Sequence, residues 1–168
     1  MDATRESERT RMKNPTTVER TSERELVVTR TLNGPARLVF DAWTRPELFK
    51  RWWVPKSIGM SLVSCEMDCR TGGTYRLVFS HPAFPEPMAF FGRYNEVIPA
   101  SRLVWTNDEG GEDGGAVTTV TFEDKGGATL VVLRELYPSK AALDEAIASG
   151  STSGFGEQFE QLDEFLNA

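Results

Sequence analysis

The chain has 168 residues, 39% of them hydrophobic, which suits one domain with a real core. Its formal charge is -6 and its pI near 4.9, so nothing in the composition draws it to nucleic acid or to an anionic membrane. No stretch approaches the roughly 18 apolar residues of a membrane span, and residues 1–25 lack the apolar core of a signal peptide. A cytoplasmic location is the expectation.

Residues 1–23 are polar and mix basic side chains (Arg5, Arg9, Arg11, Lys13, Arg20) with a similar number of acids. Nothing there can be buried, so the expectation is a disordered leader ahead of one domain over 24–168, with Met12 as an alternative start. Residues 25–32 are rich in Val, Leu and Thr and read as the first strand. Asn33-Gly34-Pro35 turns the chain into a short amphipathic helix over 36–43, with Val39, Phe40 and Trp43 inward. Thr44 is placed to cap a second helix over 46–53, opened by Pro46 and ended by Pro55 and Gly59.

Six strand-like runs follow, at 60–68, 74–81, 88–98, 102–106, 116–123 and 128–136. The first alternates Val63, Cys65 and Met67 against Ser64, Glu66 and Asp68, giving one buried and one wet face. Cys65 and Cys69 on one strand would stand ~13 Å apart, too far to bridge, so both are expected as buried free thiols. Gly92 within the third run suggests a bulge, a bend or a close approach to a helix. The segment 107–115 holds four glycines and four acids and reads as a flexible hairpin tip. In the last run, Leu130-Val131-Val132-Leu133 looks buried on both faces. A short helix over 139–149 opens with Ser139 and stops at Gly150.

The final stretch, 151–166, organises the rest. Phe155, Phe159, Leu162 and Leu166, with Phe165 beside them, form an apolar stripe, while Glu157, Glu160, Gln161 and Glu164 hold the wet face. Ser151 or Ser153 can cap its start. Strands in hairpin succession bracketed by helices argue an α+β antiparallel sheet that curls around this terminal rod. Whatever the protein binds is expected between the two.

Several segments resemble a known superfamily. Val39-Phe40-Asp41-Ala42-Trp43-Thr44, Pro46-Glu47 and Arg51-Trp52-Trp53 are similar to the opening signature of SRPBCC, or START-like, proteins, and of the branch named after the activator of heat-shock protein 90 ATPase. Asp68, Arg70, Gly72-Gly73 and Tyr75-Arg76 resemble its second signature; Gly92, Glu96 and Pro99 with Arg102-Leu103-Val104-Trp105-Thr106 resemble its third. Val120-Thr121-Phe122 and the helix from Gly154 to Leu162 complete it, although Phe155 stands near where the family has tryptophan. The resemblance implies a helix-grip fold: about seven antiparallel strands wrapped around a long C-terminal helix, two short helices after strand one, and a cavity between sheet and helix.

The aromatic content exceeds what a plain sheet-on-helix core needs. Phe40, Trp43, Trp53, Tyr75, Phe79 and Phe91 are taken as lining residues, with Trp105, Leu133, Phe155 and Phe159. Trp52 and Trp53 cannot both face inward on a short helix, so one packs and the other stands at the pocket mouth. Polar candidates are few. His81 ends a strand whose inward face is Tyr75, Leu77 and Phe79; Arg93 lies beside Gly92; of Arg134 and Glu135 only one can face the cavity, and whichever does would be an isolated charge there, a ligand anchor or a perturbed acid. Asp68 and Arg70 read as a structural charge pair, and Gly72-Gly73 and Gly126-Gly127 as turns. With a single histidine, no nucleophilic triad assembles and no metal spacing repeats, so no catalytic residue, metal or cofactor is assigned.

These features favour a carrier or sensor of a small apolar molecule. A cyclase- or dehydratase-like enzyme acting on an aromatic or polyketide-like substrate is the second reading, and a chaperone-activating partner protein the third. A homodimer is open to such a chain.

Overall fold

The computed structural model describes residues 14–108, 115–150 and 152–167. Eight strands form one antiparallel sheet: β1 (Thr17–Arg20), β2 (Glu25–Leu32), β3 (Ser61–Met67), β4 (Thr74–Ser80), β5 (Met88–Ile98), β6 (Arg102–Asn107), β7 (Val117–Asp124) and β8 (Thr129–Leu136). Their order is β1-β2-β8-β7-β6-β5-β4-β3. Strands β3 to β8 are a meander in which each hairpin lies beside the last, and β8 closes onto β2. After β2 the chain must therefore cross the whole inner face to reach the far edge. It does so through α1 (Ala36–Thr44), α2 (Pro46–Phe49) and a 3-10 turn (Lys56–Ile58). Helices α3 (Lys140–Ala148) and α4 (Phe155–Leu166) follow β8. The helix-grip architecture expected from the sequence is present.

Several local expectations are corrected. Thr17–Arg20 pairs with β2, so part of the segment expected to lack structure is an edge strand, and the sheet has eight strands instead of about seven. All four β1 residues are exposed, and their polar sequence gives no inward face to detect. Residues 1–13, including Met12, lie outside the described residues, as do 109–114 of the expected hairpin tip. The second helix is a single turn, 46–49, with Arg45 at its N-cap, because the Thr44 hydroxyl donates back to the Phe40 carbonyl at 2.9 Å. A bulge between Leu62 and Ser64 turns Val63 outward, 57% exposed, so it does not share a face with Cys65. The two cysteines are free and half-buried, and Cys69 lies beyond the end of β3. Leu130 and Val132 are only half-buried, whereas Val131 and Leu133 are fully inside.

The terminal helix also starts late. Gly154 is its N-cap without side-chain help, and the Ser153 hydroxyl donates to the Gly150 carbonyl at 2.7 Å; Ser151 lies outside the described residues. Phe155, Phe159 and Leu162 are buried as the spacing predicts. Gln161 is not on the wet face. It is 8% exposed and donates to the Trp52 and Val54 carbonyls at 2.9 and 2.8 Å, while its oxygen accepts from the Lys56 amide at 2.9 Å. Gln158 donates to the Trp53 carbonyl at 2.5 Å, and Glu157 accepts from the Ser57 amide at 2.9 Å and from its hydroxyl. These three side chains satisfy backbone groups that α2 and the following loop leave unpaired.

The other half of α4 is fixed to β2. Arg30 and Asp163 form an ion pair at 3.0 Å with side chains 6% and 4% exposed, and Asp163 also accepts from the Asn33 amide at 3.2 Å and the Asn167 side chain at 3.0 Å. A carboxylate held this way compensates a guanidinium that water cannot reach. Asp163→Ala should therefore destabilise the fold by about 3–5 kcal/mol, since it strands that charge. Urea denaturation measures this, and a loss below about 1 kcal/mol would mean the pair is dispensable.

Candidate functional site

The inner face of the sheet carries two cross-strand rows of functional side chains. Directly paired residues on neighbouring strands share a face, so Tyr94, Trp105, Thr118 and Glu135 form one row across β5, β6, β7 and β8. The other row is Tyr75, Gly92 and Asn107 across β4, β5 and β6. Gly92 is there for a close approach. A Cβ on it would collide with the Thr106 carbonyl oxygen and lie 2.7 Å from the Tyr75 hydroxyl. The Tyr75 side chain crosses that gap, and its hydroxyl donates to the Asn107 side-chain oxygen. The bulge itself comes later, between Tyr94 and Glu96.

Above these rows sits an aromatic cluster from the helical layer. Trp43 of α1 is 2% exposed, with Trp52, Trp53, Phe159, Trp105 and Phe122 at centroid distances of 4.7, 5.9, 5.9, 6.1 and 6.1 Å. Trp52 packs entirely inside and donates its indole N–H to the Ala42 carbonyl at 2.9 Å. Trp53 is half-buried and faces the space below, stacked on Phe49 at 4.8 Å. Trp52 is thus the member of the pair that packs, and Trp53 the one that lines the space.

Between the layers lies a cavity of about 550 Å³. Its walls include Trp43, Trp53, Tyr75, Phe79, Trp105, Leu133, Glu135 and Phe155 from the residues singled out by sequence. Five others expected there are elsewhere. Phe40 packs edge-on to Phe122 at 5.5 Å in the core, and Phe159 is fully buried behind Trp43. Phe91 is 43% exposed on the outer face. Arg93 points outward and pairs with Asp108 at 3.0 Å. His81 accepts from the Ala83 amide at Nδ1, 2.9 Å, and its Nε2 lies 2.8 Å from the Ile58 carbonyl, so it ties the β4–β5 loop to the 3-10 turn.

Sequence reasoning missed Phe49, Met67, Phe90, Tyr94, Asn107, Tyr137 and Gln158, which also line the cavity. Phe90 was recoverable: it has the same parity as Gly92 and Tyr94, and it pairs with Leu77 on the inward face of β4. Tyr137 and Gln158 carried no such signal.

Among the described residues Glu135 is the one charged side chain in the lining; its neighbour Arg134 points to the outer face, 3.4 Å from Glu25. The Tyr137 hydroxyl donates to the Glu135 carboxylate at 2.8 Å. Burial pushes the Glu135 carboxyl above its ordinary range, and the tyrosine hydrogen bond pulls it back only in part. Burial likewise pushes the Tyr137 and Tyr94 phenols up, and raises the Cys65 thiol to about 11. Cys65, 3.5 Å from the Met67 sulfur, is therefore a thiol and not a nucleophilic thiolate near neutral pH. Asp68 and Arg70 pair at 2.9 Å on the surface, as expected. Among the described residues no group of three or more His, Cys, Asp or Glu side chains could hold a metal, and no helix is long and apolar enough to cross a membrane.

An acid raised in the folded state binds its proton more tightly there than in the unfolded chain. Stability on this account falls as pH rises from the ordinary carboxyl range through the raised one. Glu135→Gln keeps the Tyr137 hydrogen bond and removes the charge. Its melting temperature should exceed that of the parent chain at and above neutral pH, with the gap closing toward pH ~4. Thermal melts across pH measure this, and a gap that is constant or widens toward acid would contradict it.

Comparison with known proteins places this architecture. Residues 33–167 match the family model described as Activator of Hsp90 ATPase homolog 1-like protein. A crystal structure of a protein from Rhodobacter sphaeroides is similar at TM-score 0.80 and 21% identity, covering 90% of this chain and 97% of that one. One from Nitrosomonas europaea gives TM-score 0.78 and 25% identity over 88% and 97%. The AHSA1-like protein from Aeromonas hydrophila gives 0.62 and 17% over 84% and 92%. No protein of curated function matches. With its family model spanning both short helices, strands β3 to β8 and the terminal helix, the chain belongs to the Activator of Hsp90 ATPase homolog 1-like proteins.

Proposed function

We propose that the protein is a carrier or sensor that holds a small hydrophobic molecule between the sheet and its helical cover. The observation that supports this most is the cavity of about 550 Å³, walled by aromatic rings from α1, α2, α4 and the three strands β4, β5 and β6. That volume lies within the range of small-molecule sites, roughly 300–1,000 Å³, and the lining has their usual character of apolar walls with a few polar anchors. The anchors are Glu135 with Tyr137, Asn107 with Tyr75, and Gln158.

A cyclase- or dehydratase-like reaction would have to rely on Glu135 as its acid or base, because His81 is committed to the loop at Ile58 and Ala83. The chaperone-partner reading comes with the family's name and is tested by pull-down from cell extract. Two free thiols in the described residues agree with a reducing, cytoplasmic location.

Titration with a neutral naphthyl-type probe should quench the fluorescence of Trp43, Trp53 and Trp105 to saturation. Trp105→Ala should weaken that binding roughly tenfold, through the lost ring contact and wall area. No saturable signal from a panel of neutral apolar probes would overturn the proposal.

A further inference from the structure

The cavity is electrostatically one-sided. Its polar lining is Glu135, the hydroxyls of Tyr75, Tyr94 and Tyr137, and the amides of Asn107 and Gln158. Neither Lys, Arg nor His contributes to it among the described residues. The cationic neighbour in sequence, Arg134, faces away toward Glu25, and Arg93 faces away toward Asp108. Glu135 is flanked across the sheet by Leu26 of β2 and Thr118 of β7, neither of which titrates. From the helical side, α3 brings Ala146 and α4 brings Phe155 and Gln158. Burial holds the Tyr94 and Tyr137 phenols in their neutral form.

Among the described residues a carboxylate in such a place has one neutral hydrogen-bond donor, Tyr137, and no counter-charge. An incoming carboxylate, phosphate or sulfonate would add a second buried negative charge with nothing to balance it. An ammonium would do the reverse. It would supply the missing counter-charge through a charge-assisted hydrogen bond, and indole and phenol faces attract cations. The chain's net charge of -6 also favours the approach of a cation.

We infer that the guest of this cavity is a lipophilic amine bound as its ammonium, with the cation at Glu135 and the apolar body among Trp43, Trp53 and Trp105. This rests on the cavity reading proposed above and specifies its chemical class. The same charge disfavours fatty acids, acyl phosphates and nucleotides as guests.

Three probes sharing one bicyclic body test this near neutral pH: naphthylmethylamine, naphthalenemethanol and naphthoic acid. Isothermal titration calorimetry on the full chain should rank the amine about tenfold tighter than the alcohol, as a charge-assisted hydrogen bond implies, with no detectable heat from the acid. Glu135→Gln should abolish the amine's advantage over the alcohol, and near-ultraviolet circular dichroism checks that the variant is folded. If the variant does not fold, the ranking of the three probes on the parent chain still decides. Equal binding of amine and alcohol, or binding of the acid, overturns the inference and leaves the cavity reading standing. Absence of binding by all three overturns both.

Discussion

A sheet this broad cannot be covered by the helix that grips it, and the rest of the structure follows from that mismatch. Eight strands at about 4.8 Å spacing span on the order of 34 Å, whereas a helix is about 10 Å wide with its side chains. The 12-residue α4 is only about 18 Å long. Curling reduces the area to be covered but does not remove it. The chain places the α1–α2 pair over the remaining inner face, and Trp43 at its centre gathers Trp52, Trp53, Trp105, Phe122 and Phe159. Even so the two covers do not fill the concavity, and about 550 Å³ is left.

What holds the covers apart is polar. Gln161, Gln158 and Glu157 project from α4 onto the backbone of 52–57, while Arg30 and Asp163 fix the other half of the helix to β2. Each bond satisfies a group that folding removes from water, so each is costly to break and sets the helix at one position instead of a range of them. A helix held only by its leucine and phenylalanine stripe could slide inward and close the hollow. Here the glutamines fix where Trp53 stands, and Trp53 forms part of the wall.

Much of this was legible in the residues, and the failures share a cause. Period-two alternation found β3 and β4, strand-forming composition and turn signals found β2 and β5 to β8, and period-3.6 spacing found α4, which has one wet and one buried face. β1 escaped because Thr17-Val18-Glu19-Arg20 is an exposed edge with no such contrast. Phe91 was chosen over Phe90 because two adjacent phenylalanines hide the register, which hairpin pairing with Leu77 resolves. Gln161 was assigned to water by its polarity, although its partners are carbonyls of a helix end far away in sequence. His81 looked inward by parity, but the strand ends at Ser80 and the ring turns to the loop. Glu135 was readable only as one of two alternatives; register with Thr118 and Leu26 selects it over Arg134.

The central claim is that the hollow exists in solution and is not collapsed. Ala116 is buried and lines it, so a larger side chain there reports directly on the free space. Measured by urea denaturation, Ala116→Phe should leave stability unchanged or raise it, because the ring enters unoccupied volume. A loss of about 1–3 kcal/mol, as overpacking of a filled core produces, would contradict the account.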